Sequence, residues 1–345
     1  MKRIKKILVL LLTVLLCLTL TACGGNSEEG NDEEENEVVY KAALICSNAL
    51  GNDFADLMWS GFLKLEKEGW EVKVIEALDP AEYAEDIRAV SEDGYQVIMG
   101  WDDTVNEVIL ELADEMAEPY PDTHYFCLDT YMEQSHNNVT TVSVDAWESS
   151  FVAGYVAAKT SKTGEIGWVS HFESPKMRRF WWGYVQGAKL ANPDIITHDA
   201  LTLDAFDPQK GLETAETLLA TYPNIDIIYQ AAYLAGPGVI TACANAGILC
   251  IGVDDWQGYL DDCVFWSAIK SIDNAVYVLA NKYKEGFDFP YAMDFNIASG
   301  GTAYDQRDFE KLSPELQAEV AALMDGIKDG SVNVYEGMED WRLEY

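Results

Sequence analysis

The chain has 345 residues, 49% of them hydrophobic, and its 59 acids against 23 bases give a formal charge of −36. A field of that sign repels nucleic acid and anionic lipid surfaces, so the ligand is expected to be neutral, zwitterionic or cationic, or to be held deep inside. Cysteines 46, 127, 243, 250 and 263 form no C-x-x-C pair, and histidines 124, 136, 171 and 198 share no ligand spacing, so neither a full disulfide framework nor a metal or other cofactor is expected.

Taken in chain order, the first segments read as an address. Lys2, Arg3, Lys5 and Lys6 precede an apolar run from Ile7 to Leu20 and then "LTAC", the layout of a secretory signal. That run is short for a bilayer-spanning helix, which needs about 20 residues. "LTAC" resembles the lipobox of bacterial lipoproteins, which implies a signal peptide over 1–22, a lipid on Cys23 and anchorage on the extracytoplasmic face of the cell membrane. Residues 23–37 have no large apolar side chain and a dense run of acids, so they read as an extended tether.

From Val38 onward short apolar runs alternate with amphipathic ones. Strands are expected over 38–46, 70–77, 96–101, 124–129, 141–144, 165–170, 225–230, 248–253 and 264–269. Val105, Val108, Leu112 and Met116 have helical spacing between two of them. Asp79-Pro80, Asp207-Pro208 and Ser313-Pro314 each mark a helix start by a capping side chain followed by proline. Strand, helix, strand at this interval means βαβ units and parallel sheets, and a folded part of about 300 residues exceeds one core, so two lobes are expected.

Ligands of open parallel sheets sit beyond the carboxyl ends of the strands. Polar or aromatic groups follow the expected strands at Ser47-Asn48, Trp101-Asp102, Asp129-Thr130, Ser170-His171, Tyr233 and Asp254-Asp255, which suggests a shared cleft. There is no G-x-S-x-G elbow, Walker loop or G-x-G-x-x-G fingerprint, so an enzyme is not expected. "GPGVI", from Gly236, suits a helix start whose N–H groups face the cleft. Trp59, Trp101, Trp147, Trp181, Trp182, Phe206 and Trp256 lie near strand ends or early in helices. Rings beside carboxylates suit a ligand with hydroxyls and a ring system.

The motifs "HYFCLD", "VSVDAWESSFVAGYVAAKTSKTGEIGWVS", "FWWGYVQGAK", "DAFDPQKGLETAETLL", "GPGV", "IGVDDWQ" and "SAIKSIDNAVY", in that order, resemble the basic membrane protein family of ABC-importer lipoproteins, which includes purine-nucleoside receptors. The resemblance spans roughly Lys41 to Gly301. It implies a two-lobed type I periplasmic-binding fold that closes on a nucleoside, a purine nucleoside first, and a permease and ATPase as partners of a monomeric receptor. The lobes are expected at 38–143 plus 268–296 and at 144–267 plus 297–345. Their hinge is expected near Val144–Asp145, Ser267–Lys270 and Asn296–Ser299. Matched to the family, Phe206 and either Trp59 or Phe54 sandwich the base, Asp254 and Lys270 hold ribose hydroxyls, and Asp129, with Asp102 as rival, faces the base. Asn48, Tyr233 and Gly236 complete the expected set. The chain departs from the family pattern in "SNALGNDFAD", where Ala55 follows Phe54, in Tyr233, and in "DDWQ", where Trp256 stands in place of an acid. Trp256 is expected to cover the pocket. Alternatives are another neutral aromatic or sugar-like ligand, a sensing lipoprotein signalling to a membrane receptor, or a glycosidase-like enzyme.

Overall fold

The structure is a computed structural model and describes residues 39–335 apart from 52 and 145. The expected signal segment, the anchor Cys23 and the tether lie outside the described residues. The first lobe begins with β1 (Lys41–Cys46), α1 (Asp53–Lys67), β2 (Glu71–Glu76), α2 (Tyr83–Glu92), β3 (Val97–Trp101), α3 (Asp103–Ala117), β4 (His124–Leu128) and β5 (Val139–Val144). The second lobe follows with α4 (Ala146–Thr160), β6 (Glu165–Ser170), α5 (Pro175–Ala191), β7 (Ile196–Leu201) and α6 (Pro208–Thr221). It continues through β8 (Ile227–Ala231), α7 (Gly236–Ala246), β9 (Leu249–Asp254) and β10 (Val264–Ile269). The chain returns to the first lobe for α8 (Ile272–Lys284) and β11 (Ala292–Phe295). It ends in the second with α9 (Gln306–Phe309) and α10 (Pro314–Asp329).

The first sheet runs β11-β5-β4-β3-β1-β2 and the second β10-β9-β8-β6-β7. Every pairing between these strands is parallel. Helices cover both faces, which is why central strands such as β1 read as unbroken apolar runs. Leu44, Met58, Phe62 and Leu279 pack on one face of the first sheet, and Ile45, Ile87, Ile98 and Ile109 on the other. The second sheet lies likewise between Trp147, Trp168 and Tyr184 and the cluster of Val169, Leu218 and Val239. Strands β7 and β11, absent from the expected set, are edge strands whose half-exposed residues break the apolar pattern.

Asp207 and Ser313 cap α6 and α10 as expected, each with proline at the helix start. Asp79-Pro80 instead makes a turn: the Asp79 carboxylate accepts from Ala81 N and its carbonyl from Glu82 N, and α2 starts later, at Tyr83. The helices α4 and α5 meet through glycines. A Cβ on Gly154 would lie 1.9 Å from the Tyr184 carbonyl oxygen, and one on Gly187 would lie 1.8 Å from that of Phe151. The "FWWGYVQGAK" motif is thus a helix-packing surface.

The lobes are joined three times, from β5 to α4, from β10 to α8 and after β11, where Ile297–Ser299 forms a short 3₁₀ turn. Val144 closes β5 in the first sheet, while Ala268 and Ile269 remain in β10 of the second. Both strands end where the expected strands 141–144 and 264–269 end. Ser271, in the second connection, is tied to the segment that follows the third, accepting from Thr302 N at 2.9 Å.

Candidate ligand site between the lobes

A chamber of about 720 Å³, mouth included, lies at the carboxyl ends of both sheets. Phe54 at the start of α1, Trp101 at the end of β3 and Asp102 just past it, and Asp129 after β4 line it from the first lobe. His171 after β6, Lys176 and Phe180 on α5, Tyr233 after β8 and Asp254 at the end of β9 line it from the second, with Lys270 on the connection between them. A second chamber shares Phe54, Tyr233 and Asp254 and continues past Asp56, Asp255 and Trp256.

The expected residues Phe54, Asp102, Asp129, Tyr233, Asp254 and Lys270 are thereby brought together, and the other four are not. Trp59 lies five residues beyond Phe54, about 140° further round the helix. Its ring stacks on Phe62 at 5.6 Å, and of the two only Phe54 lines the chamber. Phe206 is 68% exposed and meets Tyr233 edge-on at 5.8 Å, beside the chamber wall and not across it from a second ring. Gly236 opens α7, but its missing side chain serves packing: a Cβ there would lie 2.2 Å from Gln230 Oε1. Asn48 is half-buried just beyond β1, where its carbonyl accepts from the Cys46 thiol at 3.1 Å.

Among the described residues five non-glycine positions have a left-handed φ, and four of them line the chamber: Asp102 (81°), Asp129 (55°), Tyr233 (53°) and Asp254 (65°). Such a backbone is strained for a residue with a Cβ and persists where the surroundings impose it, which is common at functional sites. At Asp254 the imposing network is visible. Gln257 Oε1 accepts from Val253 N at 3.2 Å and from Gln230 Nε2 at 2.6 Å, and Gln257 N donates to Ser267 Oγ at 3.1 Å. The chain past Asp254 is thus folded back onto its own strand.

Asp129 is 5% exposed and carries the main charge pairing of the chamber. Lys270 Nζ lies 2.7 Å from Oδ1, and Lys176 Nζ lies 3.4 Å from Oδ2 and 2.8 Å from the Asp129 carbonyl. Burial pushes the Asp129 carboxyl up, and the two ammonium groups together outweigh it, holding the group below the usual carboxylate range. Burial also works against the Lys176 charge, but Asp129 and Asp103 more than offset it and leave its pKa raised. Lys270 further lies 5.3 Å from the centre of the Phe54 ring and 5.6 Å from that of Phe180, within cation–π range of both. Burial lowers His171, opposed in part by its hydrogen bond to the Ala231 carbonyl. Asp102 has a structural duty as well, capping α3 by accepting from Thr104 N and Oγ1.

Asp255 and Trp256 border the second chamber, and Trp256 is no loose cover. Its Nε1 donates to Asp308 at 3.1 Å and the Arg307 guanidinium lies 3.6 Å from its ring centre. Trp101 and His171 stand at strand ends that sequence reasoning marked without assigning them to the site. Lys176 and Phe180 were missed. The signal for them was Ser174-Pro175, a cap and proline just past β6 that places the first turn of α5 at the cleft. No His, Cys, Asp and Glu grouping that could hold a metal occurs among the described residues. No helix there is long and apolar enough to cross a membrane.

Residues 41–329 match the family model described as ABC transporter substrate-binding protein PnrA-like, the Bmp family. The chain belongs to this family. Membership makes it a substrate-binding protein of an ABC transporter and not an enzyme, with a small-molecule ligand and a permease as partners. Basic membrane protein D of Borreliella burgdorferi is 33% identical over 208 residues, a stretch covering 59% of each chain. The ABC transporter nucleoside-binding protein BmpA of Lactococcus lactis is 25% identical over 320 residues, covering 85% of this chain and 88% of its own. Among solved structures, an ABC transporter solute-binding protein from Aeropyrum pernix superposes with a TM-score of 0.68 at 21% identity, covering 85% of this chain and 92% of the other. That likeness bears out the two-lobed α/β fold of parallel sheets.

Proposed function

We propose that this family member is a lipid-anchored extracytoplasmic receptor that binds a nucleoside in the interlobe chamber and delivers it to a membrane permease. The observation that carries the reading is the pairing, in one chamber, of flat rings with acceptor carboxylates. Phe54, Trp101, Phe180 and Tyr233 can pack on a planar base, while Asp129 and Asp254 can accept from ring N–H groups and sugar hydroxyls. The Lactococcus relative, named as nucleoside-binding, supports the same class. The lipid anchor rests on the "LTAC" segment and Cys23.

The charge of the chamber narrows the class further. Four carboxylates (Asp102, Asp103, Asp129, Asp254) face two ammonium groups, and both ammonium groups are engaged by Asp129. A phosphate there would meet net negative charge, so nucleosides should bind and nucleoside monophosphates should not. A thermal-shift screen of the mature protein over nucleosides, free bases, sugars and nucleoside monophosphates tests this. A ligand at about 100 times its dissociation constant adds roughly 2.7 kcal/mol of apparent stability. If ribose alone raises the melting temperature as much as any nucleoside, no base is stacked and the reading fails.

A further inference from the structure

Helix α5 enters the cleft with its N-terminal end, and its first five residues carry Lys176, Arg178 and Arg179 in a chain with only 23 bases. Cations at a helix N-terminus oppose the helix dipole, a placement that destabilises the helix unless they find partners elsewhere. Arg178 finds Glu173, within its own lobe, with Nη2 at 2.7 Å from Oε2. The other two reach across the cleft. Lys176 Nζ lies 2.8 Å from the Asp129 carbonyl, and the Arg179 guanidinium lies 3.9 Å from the centre of the Tyr131 ring. Positions three apart share one helix face. One face of α5 therefore holds both ends of the segment 129–131, which follows β4 of the opposite lobe.

We infer that Lys176 and Arg179 form an interlobe clamp that holds the second lobe on the ligand-facing end of β4, and so sets both the closing equilibrium and the affinity for ligand. The clamp acts at the carboxylate that lines the chamber. Asp129 is fixed from the connection side by Lys270 and from across the cleft by Lys176, so opening the lobes removes one of its two cations. Closure and the state of the ligand-facing acid are thus one event. Lys176 and Arg179 are positioning residues in this account, since they act through Asp129 and Tyr131.

Small-angle scattering of the ligand-free chain tests the inference. In the double variant Lys176→Met/Arg179→Gln the radius of gyration should rise above wild type. Saturating inosine should bring it back to the wild-type bound value, with affinity weakened about tenfold, within the usual range of coupling between a conformational step and a ligand. Lys176→Arg, which keeps the cation, should keep the ligand-free radius of the wild type. Tyr131→Leu, which removes the ring from the other lobe, should give a smaller rise, and it carries the same test if the double variant does not fold. An unchanged ligand-free radius in the variants overturns the clamp, and so does a lower melting temperature with no change in radius. Failure of inosine to bind the wild type would sink the nucleoside reading instead, and the ligand-free scattering still decides the clamp.

Discussion

Asp129 carries its charge between two lysines, so it meets a ligand as a pure acceptor and the ligand has to present N–H or O–H groups to it. Asp254→Ala is expected to keep the fold and weaken nucleoside binding by roughly ten- to a hundredfold, the worth of one hydrogen bond to a charged group. Titration calorimetry reads this directly, and unchanged affinity would remove Asp254 from the site. Lys270→Ala should lower melting temperature as well as affinity, because it strips a buried carboxylate of its 2.7 Å partner. The folded-state pKa of Asp129 lies below its ordinary value, so its stabilising contribution is full above that ordinary value and is lost as pH falls through the lowered one. The stability gap between wild type and Asp129→Asn should therefore be open at neutral pH and close in acid, followed by circular dichroism; a gap persisting in strong acid would mean that charge is not its origin. The acids at the strand ends were legible because the period of the apolar runs locates where each strand stops. Which of Phe54 and Trp59 lines the chamber was not, since it depends on how α1 is rotated against β3, which local pattern does not encode. The cluster of cations at 176–179 was legible in principle, as an electrostatic misfit at a capped helix start.

Helices α4 and α5 form a close joint in the second lobe, because their backbones touch where Gly154 and Gly187 leave out side chains. Gly187→Ala should push the helices apart and destabilise by about 1–3 kcal/mol, the usual effect of overpacking. A lower denaturation midpoint with an unchanged slope would show it, and a wild-type midpoint would mean that the contact relaxes freely. Since α5 also carries Lys176 and Phe180 into the chamber, the same variant should weaken ligand binding through displacement alone. At this scale the sequence declared the central strands and the capped helices well, because burial on both faces leaves long apolar runs. It declared β7 and β11 poorly: an edge strand has one neighbour and a solvated face, so "ITHDAL" and "AMDF" lack a continuous apolar signature. Asp79-Pro80 misled for a related reason, as the capping chemistry of a turn and of a helix start is the same until the fourth residue commits.

The molecule as a whole is two parallel sheets joined by three short connections, an arrangement that permits rotation of one lobe on the other. Wild-type protein should become measurably more compact in solution scattering when a nucleoside is added; an identical radius with and without ligand would count against a closing cleft. The two-lobed plan was readable from alternation and length, and β5 and β10 end where their apolar runs end, at Val144 and Ile269. The four left-handed backbones around the chamber have a consequence for any attempt to harden this receptor against heat. Each is of a kind that costs of order 1–3 kcal/mol, against a net stability of roughly 5–15 kcal/mol for a typical protein. A random library selected for heat resistance alone should therefore drift toward glycine at 102, 129, 233 and 254, and its most durable survivors should be the ones that have stopped recognising their cargo.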